Sequence, residues 1–384
     1  MVSGSAAFAT GNLRIGMVGG GPGAFIGAVH RIALAMDGQF KLVAGAFSSD
    51  AAKSREKAAE LGIEADRAYG TYAEMLEKES KLPADRRIQA VSIVTPNHVH
   101  HGPAKMALEK GFHVICDKPL TITVEEAEEL ERLVKKTGLT FAVTHNYTGY
   151  PMVREARNLV RSGQLGEIRK VYVEYLQGWL SDKLEASGQK QAAWRTDPSK
   201  SGGCGAMGDI GTHAENLAEH ITGQPIVSLY CQLKTFVEGR ALDDDGMVMF
   251  KLKNGATGTL AASQVCVGKE NSLMIRVFGT KGGLHWEQEH PNDLKVYWKD
   301  RAPELRRTGN GWIHDEAKAL TRVPPGHPEG YLEAFANVYK NFGQAIRGQK
   351  TIEDAYPGVS DGLRGMRFLR ACLKSSKEGA WVTP

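Results

Sequence analysis

A chain of 384 residues, 42% hydrophobic and 24% charged, has the composition of a globular protein long enough for two cores. Its 48 Lys+Arg against 44 Asp+Glu leave a net charge of +4 with no long basic run, which argues against a nucleic-acid partner. No apolar stretch approaches the ~20 residues of a membrane-spanning helix.

Met1–Asn12 is small and polar, without the basic and apolar regions of an export signal, and reads as a loose tail. Arg14–Gly19 (RIGMVG) has a buried-strand pattern and runs into GGPGAFIG, after which Ile32–Met36 continues with helical spacing. Strand, glycine turn and helix in that order give a dinucleotide fingerprint its meaning: the turn tightens and presents backbone N–H groups to a pyrophosphate. Two alignments are open. Gly19–Ala24 fits GxGxxA, whereas Gly21, Gly23 and Gly27 fit a version with one extra residue. Strand Lys41–Phe47 ends in Ser48-Ser49-Asp50, where an acid would take the adenosine ribose of NAD. Asp50 lies slightly late, and the serines with Lys53 and Arg55 nearby could accept the 2′-phosphate of NADP.

Helices are predicted over Ala51–Leu61 and Tyr72–Glu79, then strand Ala90–Thr95, which Pro96 stops. Thr95–His101 (TPNHVHH) follows, leading into helix Pro103–Lys110. Its three histidines lack a Cys or carboxylate at ligand spacing, so no metal site is expected. Strand Gly111–Cys116 ends at Asp117-Lys118-Pro119, helix Thr123–Lys136 carries acids early and lysines late, and strand Leu139–Thr144 closes at His145-Asn146-Tyr147. This alternation predicts a parallel sheet over residues 12–146 whose ligand lies beyond the carboxyl ends of its strands. The candidate dinucleotide contacts are therefore Gly19, Gly21, Pro22, Gly23, Ala24, Phe25, Ser48, Ser49, Thr95, Pro96, Asn97, His100, Asp117, Lys118 and Asn146.

The rhythm changes over 147–384, read as a second, α+β domain. Helix Met152–Ser162 precedes the alternating strand Glu167–Gln177 and a polar loop holding Trp179, Gln189, Trp194 and Arg195. The glycine-rich Gly202–Gly211 then enters a helix from about Ile210, with Asp209 and His213 four apart on one face. Alone, that pair reads as a dipole-favouring Asp and a surface His; the rest of the chain turns it toward a site that handles protons. Strands are predicted over Val227–Phe236, Gly246–Lys253, Gly258–Val265, Leu273–Gly279, Gly282–Gln288 and Leu294–Trp298, joined by short turns and so mostly antiparallel. One face would pack on helices and the other on a partner subunit. The polar segment Arg301–Arg322 is expected as a loop over the site. Helix Tyr331–Arg347 follows, and the final helix, about 356–376, is expected to pack back on the first domain. Five scattered cysteines (116, 204, 231, 266, 372) without a CxxC pair suit reduced thiols in the cytoplasm.

Gly27–His30 (GxxH), TPNHxH, the strand-end DKP and GDIGTH (Gly208–His213), in that order, resemble the Gfo/Idh/MocA family of sugar and polyol dehydrogenases. The resemblance implies a Rossmann domain followed by a domain with an open antiparallel sheet, an NAD or NADP cofactor, and a homodimer or homotetramer through that sheet. Lys118 falls on the family's EKP lysine, with Asp117 in place of Glu, and Asp209 and His213 fall on its helix carboxylate and histidine. These imply catalysis by Lys118, Asp209 and His213, with Tyr147, Tyr175, Gln177, Trp194 and Arg195 meeting a sugar or polyol. Arg195 could instead bind an anionic substituent. His30, His98, His145 and His327 are read as structural, and Cys116 and Cys204 carry no role. Two other readings compete: a glycosidase working by transient oxidation and elimination on bound NAD, and a non-catalytic dinucleotide sensor.

Overall fold

The computed structural model describes residues 11–349, 351, 352 and 354–384. The expected N-terminal tail falls almost wholly outside them. Strands and helices alternate through β1 (Leu13–Gly19), α1 (Phe25–Met36), β2 (Phe40–Ala46), α2 (Ala51–Glu60), α3 (Tyr72–Ser80), β3 (Ala90–Val94), α4 (His101–Glu109), β4 (His113–Cys116), α5 (Val124–Thr137) and β5 (Phe141–Val143). The five strands form a parallel sheet in the order β2-β1-β3-β4-β5. Its strands are buried on both faces, as crossover helices require. Helix α5 shows why the sequence folds as it does. Thr123 caps its first turn by accepting from Glu126 N at 3.2 Å, its acids and lysines follow the dipole, and Gly138 ends it at φ +68°.

The chain then supplies α6 (Pro151–Arg161), β6 (Ile168–Leu176), α7 (Lys190–Arg195), α8 (Pro198–Ser201), α9 (Thr212–Thr222), β7 (Ile226–Lys234), β8 (Asp245–Leu252), β9 (Thr257–Ser263), β10 (Ser272–Gly279), β11 (Gly282–Glu287), β12 (Asp293–Trp298) and β13 (Glu304–Arg307). Eight strands form the second sheet, in the order β13-β12-β11-β10-β6-β9-β8-β7, antiparallel except for the parallel pair β6–β9. Its inner face, with Val173, Leu260, Ile275 and a fully buried Trp286, packs under α6 and α9. Burying each such side chain is worth about 1.5–3 kcal/mol.

The last helices, α10 (Asp315–Lys318), α11 (Tyr331–Ile346) and α12 (Val359–Glu378), do more than close the chain. Helix α11 lies against α1, where Tyr339 Oη meets His30 Nδ1 at 2.7 Å and Ser92 Oγ at 2.8 Å. Helix α12 packs on both α5 and β7, bridging the two sheets. Arg301–Arg322 is not a loop over the site. It contains the edge strand β13 and the single-turn α10 and docks on α6, where Glu155 accepts from Arg306 at 2.6 Å and from the His314 backbone at 2.8 Å. Arg322 reaches Asp37 at the end of α1 at 2.5 Å. The polar composition of this segment reflects ion pairing against α6 and α1, not proximity to a ligand.

Candidate active site

A cavity of about 1360 Å³ runs from the glycine turn after β1, along the carboxyl ends of the parallel strands, to the end of β6. The turn is shaped by close backbone approach. A Cβ on Gly21 would stand 2.4 Å from Phe47 O, and one on Gly27 would stand 2.3 Å from Gly20 Cα. Gly27 is thus the residue that lets α1 reach the turn, and the alignment ending at Ala24 gives way to one that reaches Gly27. Among the described residues, α1 carries no side-chain N-cap, so its first-turn N–H groups stay open to an anion. This cradle fits the pyrophosphate of a dinucleotide.

At the end of β2, Ser48, Ser49, Asp50 and Lys53 line the cavity. Asp50 N-caps α2, accepting from Ala52 N at 2.9 Å and Lys53 N at 3.1 Å through one oxygen, and these backbone donors lower its pKa. Gly19, Pro22, Ala24, Phe25, Thr95, Pro96, Asn97, Asp117 and Asn146 also line the wall. Asn97, however, spends its amide on Ser201 O at 3.0 Å. His98, read as structural, lines the cavity too.

Two expected contacts lie off this wall. Gly23 sits at the outer edge of the turn, where its carbonyl accepts from Gln191 at 3.4 Å. His100 is fully buried, with Nδ1 2.8 Å from Pro119 O and Nε2 2.9 Å from Thr95 O. It pins the loop after β3 to the DKP loop, which leaves neither ring nitrogen for a ligand. Burial lowers its pKa, partly offset by Asp117.

The glycine-rich entry to α9 departs from the expected helix start. A π-helical stretch, Met207–Gly211, precedes α9. Asp243 builds it by accepting from Gly205 N at 2.7 Å and Met207 N at 2.8 Å, and a Cβ on Gly205 would stand 2.1 Å from Asp243 O. The widened turn releases the Asp209 carbonyl, which accepts from Lys118 Nζ. The Asp209 carboxylate takes Lys118 Nζ at 3.1 Å on Oδ1, and Arg195 Nε at 3.1 Å with Gln264 Nε2 at 2.9 Å on Oδ2. Burial raises its pKa, but Arg195, Lys118 and these hydrogen bonds outweigh that and hold the group well below the usual carboxylate range.

His213 lies one turn further on, edge-on to Tyr147 at 4.7 Å and to His145 at 5.4 Å between ring centroids. Its Nδ1 is buried without a hydrogen-bond partner among the described residues. Burial, Lys118 and His145 together push its pKa well below that of a free imidazole, so the ring is neutral. Burial also lowers His145, to about 3.

Opposite stands a polar wall that the sequence reading only half found. Tyr175 Oη meets Tyr147 Oη at 2.5 Å and Asn271 Oδ1 at 2.6 Å, while Gln177 Nε2 reaches the same oxygen at 2.9 Å. Gln264 Nε2 bonds Gln177 Oε1 at 3.2 Å as well as Asp209. Burial raises the Tyr147 pKa to about 12 and lifts that of Tyr175 well above the usual phenol value, so both stay phenols. Asn271 and Gln264 were missed, as were the cavity-lining Gln288, Tyr331 and Phe335. The missed signal was a polar residue directly after β9 and another directly before β10. Both strands pair with β6 in a register that brings each residue beside Gln177. Trp194 lines the cavity under the Arg195 guanidinium, 4.3 Å from its ring centroid. Arg195 also lines the cavity and gives its Nε to Asp209 and its Nη1 to Gln191.

Comparison with known proteins agrees with this architecture. Residues 13–145 match the oxidoreductase family with an NAD-binding Rossmann fold, and residues 153–285 match the GFO/IDH/MocA C-terminal domain. An uncharacterized oxidoreductase of Bacillus subtilis is 34% identical over 96% of each chain. The levoglucosan dehydrogenase of Pseudarthrobacter phenanthrenivorans is 29% identical over 97% of this chain and 98% of its own. The crystal structure of an inositol dehydrogenase homolog from Azotobacter vinelandii, complexed with NAD+, covers 100% of both chains at 35% identity and a TM-score of 0.93. The chain therefore belongs to the Gfo/Idh/MocA family and is an NAD(P)-dependent dehydrogenase built on an NAD-binding Rossmann fold.

Proposed function

We propose that this dehydrogenase acts on a secondary hydroxyl of a neutral polyhydroxylated ring: a sugar, a sugar derivative or a cyclic polyol of the inositol kind. The observation that carries this is the wall of Tyr175, Gln177 and Asn271, backed by the buried Gln264, in the cavity that His213 and Lys118 also line. It offers several uncharged donors and acceptors at one end of a single cavity. Two relatives support the class, since the Azotobacter vinelandii homolog was also solved with NADH and myo-inositol, and levoglucosan dehydrogenase with NADH and levoglucosan.

In this reading residues 12–146 hold the dinucleotide and 147–384 hold the substrate and the subunit contacts. The glycine turn and the open end of α1 hold the pyrophosphate; Thr95–Asn97, Asp117, Lys118 and Asn146 flank the nicotinamide end. The free oxygen of Asp50, with Ser48 and Ser49, favours the ribose hydroxyls of NAD over a 2′-phosphate. When bound, the nicotinamide accepts the hydride.

The chain's own residues manage the proton. His213, held neutral, accepts it from the reacting hydroxyl. Lys118 spends two of its three donors on Asp209 and keeps one for the oxygen on which negative charge develops. Asp209, ionised throughout, fixes the lysine in place.

The outer face of the second sheet supports a homo-oligomer. Met247 (57% exposed) and Met249 (47%) lie on it, and two strands away the Arg276 guanidinium stacks over Tyr172 at 5.3 Å with its buried Nε lacking a hydrogen-bond partner among the described residues. Met249→Arg is expected to dissociate the assembly in light scattering. Among the described residues, no helix is long and apolar enough to cross a membrane.

The deciding experiment follows absorbance of reduced nicotinamide with NAD and NADP against monosaccharides, uronates, glycosides and inositols. Reduction of NAD by a neutral ring polyol, lost in Lys118→Ala, is expected. Preference for uronates would overturn the neutral-ring reading. Cleavage of a chromogenic glycoside without net reduction would replace it with oxidation and elimination.

A further inference from the structure

A continuous hydrogen-bonded path crosses between the two halves of the cavity through one short helix. Its first residue, Lys190, donates to Pro22 O in the glycine turn at 2.8 Å, and Gln191 Nε2 donates to Gly23 O at 3.4 Å. The other end of the same amide, Gln191 Oε1, accepts from Arg195 Nη1 at 2.7 Å and from Trp194 Nε1 at 3.4 Å. Arg195 Nε then reaches Asp209 Oδ2 at 3.1 Å, and Asp209 Oδ1 holds Lys118 at 3.1 Å. Gln191, through Arg195, therefore joins the turn that cradles phosphate to the carboxylate that places the lysine.

We propose that Gln191 and Arg195 are positioning residues that couple dinucleotide occupancy of the glycine turn to the placement of the Asp209–Lys118 pair. The coupling has a physical source. Lys190 and Gln191 hold two carbonyls of the very turn whose N–H groups face a pyrophosphate. Two further negative charges there attract the Lys190 ammonium and favour the seated position of α7 over a lifted one. Seating α7 delivers the Arg195 guanidinium to Asp209, already buried among Lys118 and Gln264, and completes the charge pattern around the lysine. An empty turn offers Lys190 only a neutral carbonyl. Coupling of this kind is reciprocal, so a well-placed Asp209–Lys118 pair also tightens the grip on the dinucleotide.

The proposal rests on Lys118 and Asp209 as the reacting pair, but its test needs neither a substrate nor turnover. ADP-ribose is the probe, because it fills the adenosine and pyrophosphate positions and carries no nicotinamide to shield Lys118. Trace acetylation by acetic anhydride, quantified at Lys118 by mass spectrometry, reads how firmly the ammonium is held. At saturating ADP-ribose, verified by calorimetry for each protein, Lys118 labelling is expected to fall about fivefold in the wild type. In Lys190→Ala, which removes the charge that answers the pyrophosphate, and in Gln191→Ala, which cuts the link from the turn to Arg195, the fall should vanish. Gln191→Glu keeps the acceptor for Arg195 but loses the donor to Gly23 O, and it too should lose the dependence on ADP-ribose. Gln191 is half-buried and Lys190 exposed on a six-residue helix outside both cores, so the variants should fold. Equal protection in the wild type and every variant would mean direct shielding and would overturn the coupling, as would labelling indifferent to ADP-ribose in the wild type. No binding of ADP-ribose to the wild type would instead overturn the dinucleotide reading, and the coupling with it.

Discussion

The two ends of the cavity are built on different principles. At the dinucleotide end, most of the wall is loops that each follow one parallel strand: the glycine turn after β1, the serines after β2, TPN after β3 and DKP after β4. Each is contiguous in sequence, and the parallel topology brings them to one edge automatically. At the substrate end, Gln177, Gln264 and Asn271 meet because β6, β9 and β10 pair in a particular register, although up to 94 residues separate them. A local motif announces the first kind of site. The second is visible only when strand order is known.

Lys118 belongs to the first kind, and its removal should have the largest effect. Lys118→Ala takes away the donor beside the reacting oxygen, and kcat is expected to fall by about 10² to 10³ while dinucleotide affinity, measured by calorimetry, stays close to wild type. A comparable loss of binding would mean that the lysine serves the cofactor and not the chemistry.

Much of the fold was legible because hydrophobic periodicity and strand-ending residues mark the alternating half. Most predicted strands and helices there end within a few residues of the observed ones. In the second half the strands were found but β13 was not, since Glu304–Arg307 is a polar edge strand with no buried face to pattern. The Asp209 partner of Arg195 was hidden for a different reason. A guanidinium in a loop near a sugar site gives no sign of its partner until folding brings it to Asp209. The lowered pKa of His213 was likewise illegible, because the burial that causes it is a property of the packed helix and of no motif.

Breaking the local site through its backbone should come next in size. A Cβ on Gly27 cannot be placed without moving Gly20, and overpacking of this kind costs about 1–3 kcal/mol. Gly27→Ala is expected to raise the dinucleotide KM about tenfold, corresponding to ~1.4 kcal/mol, with little change in kcat at saturation. The mirror experiment on the non-local site is Asn271→Ala, which leaves the Tyr175 hydroxyl and the Gln177 amide without their shared acceptor. Substrate KM should rise about 5- to 30-fold, from the usual cost of unpaired buried polar groups, with dinucleotide affinity unchanged. If Asn271→Ala weakened both ligands equally, the separation into two independently built ends would be wrong.

The smallest expected effect compares the two ends of a single strand. Beyond the carboxyl end of β4 stands Lys118; at its amino end stands His113, whose Nδ1 accepts from Thr140 N at 2.9 Å and whose pKa burial lowers to about 4. A histidine depressed in the folded state stabilises fully above its unfolded pKa of about 6.5, and that contribution is lost as pH falls through the window from 6.5 to 4. Protonation at Nδ1 would also put a donor against a donor. His113→Gln offers a side-chain oxygen to Thr140 N without a proton to take up. Its urea midpoint should therefore decline less than that of the wild type between pH 7 and pH 5, by an amount worth about 1–2 kcal/mol. Its kcat should be unchanged at both pH values, because the amino ends of parallel strands carry stability and the carboxyl ends carry chemistry. A change in kcat at His113 would show that β4 transmits strain along its length, and the two ends of the strand could no longer be treated as separate.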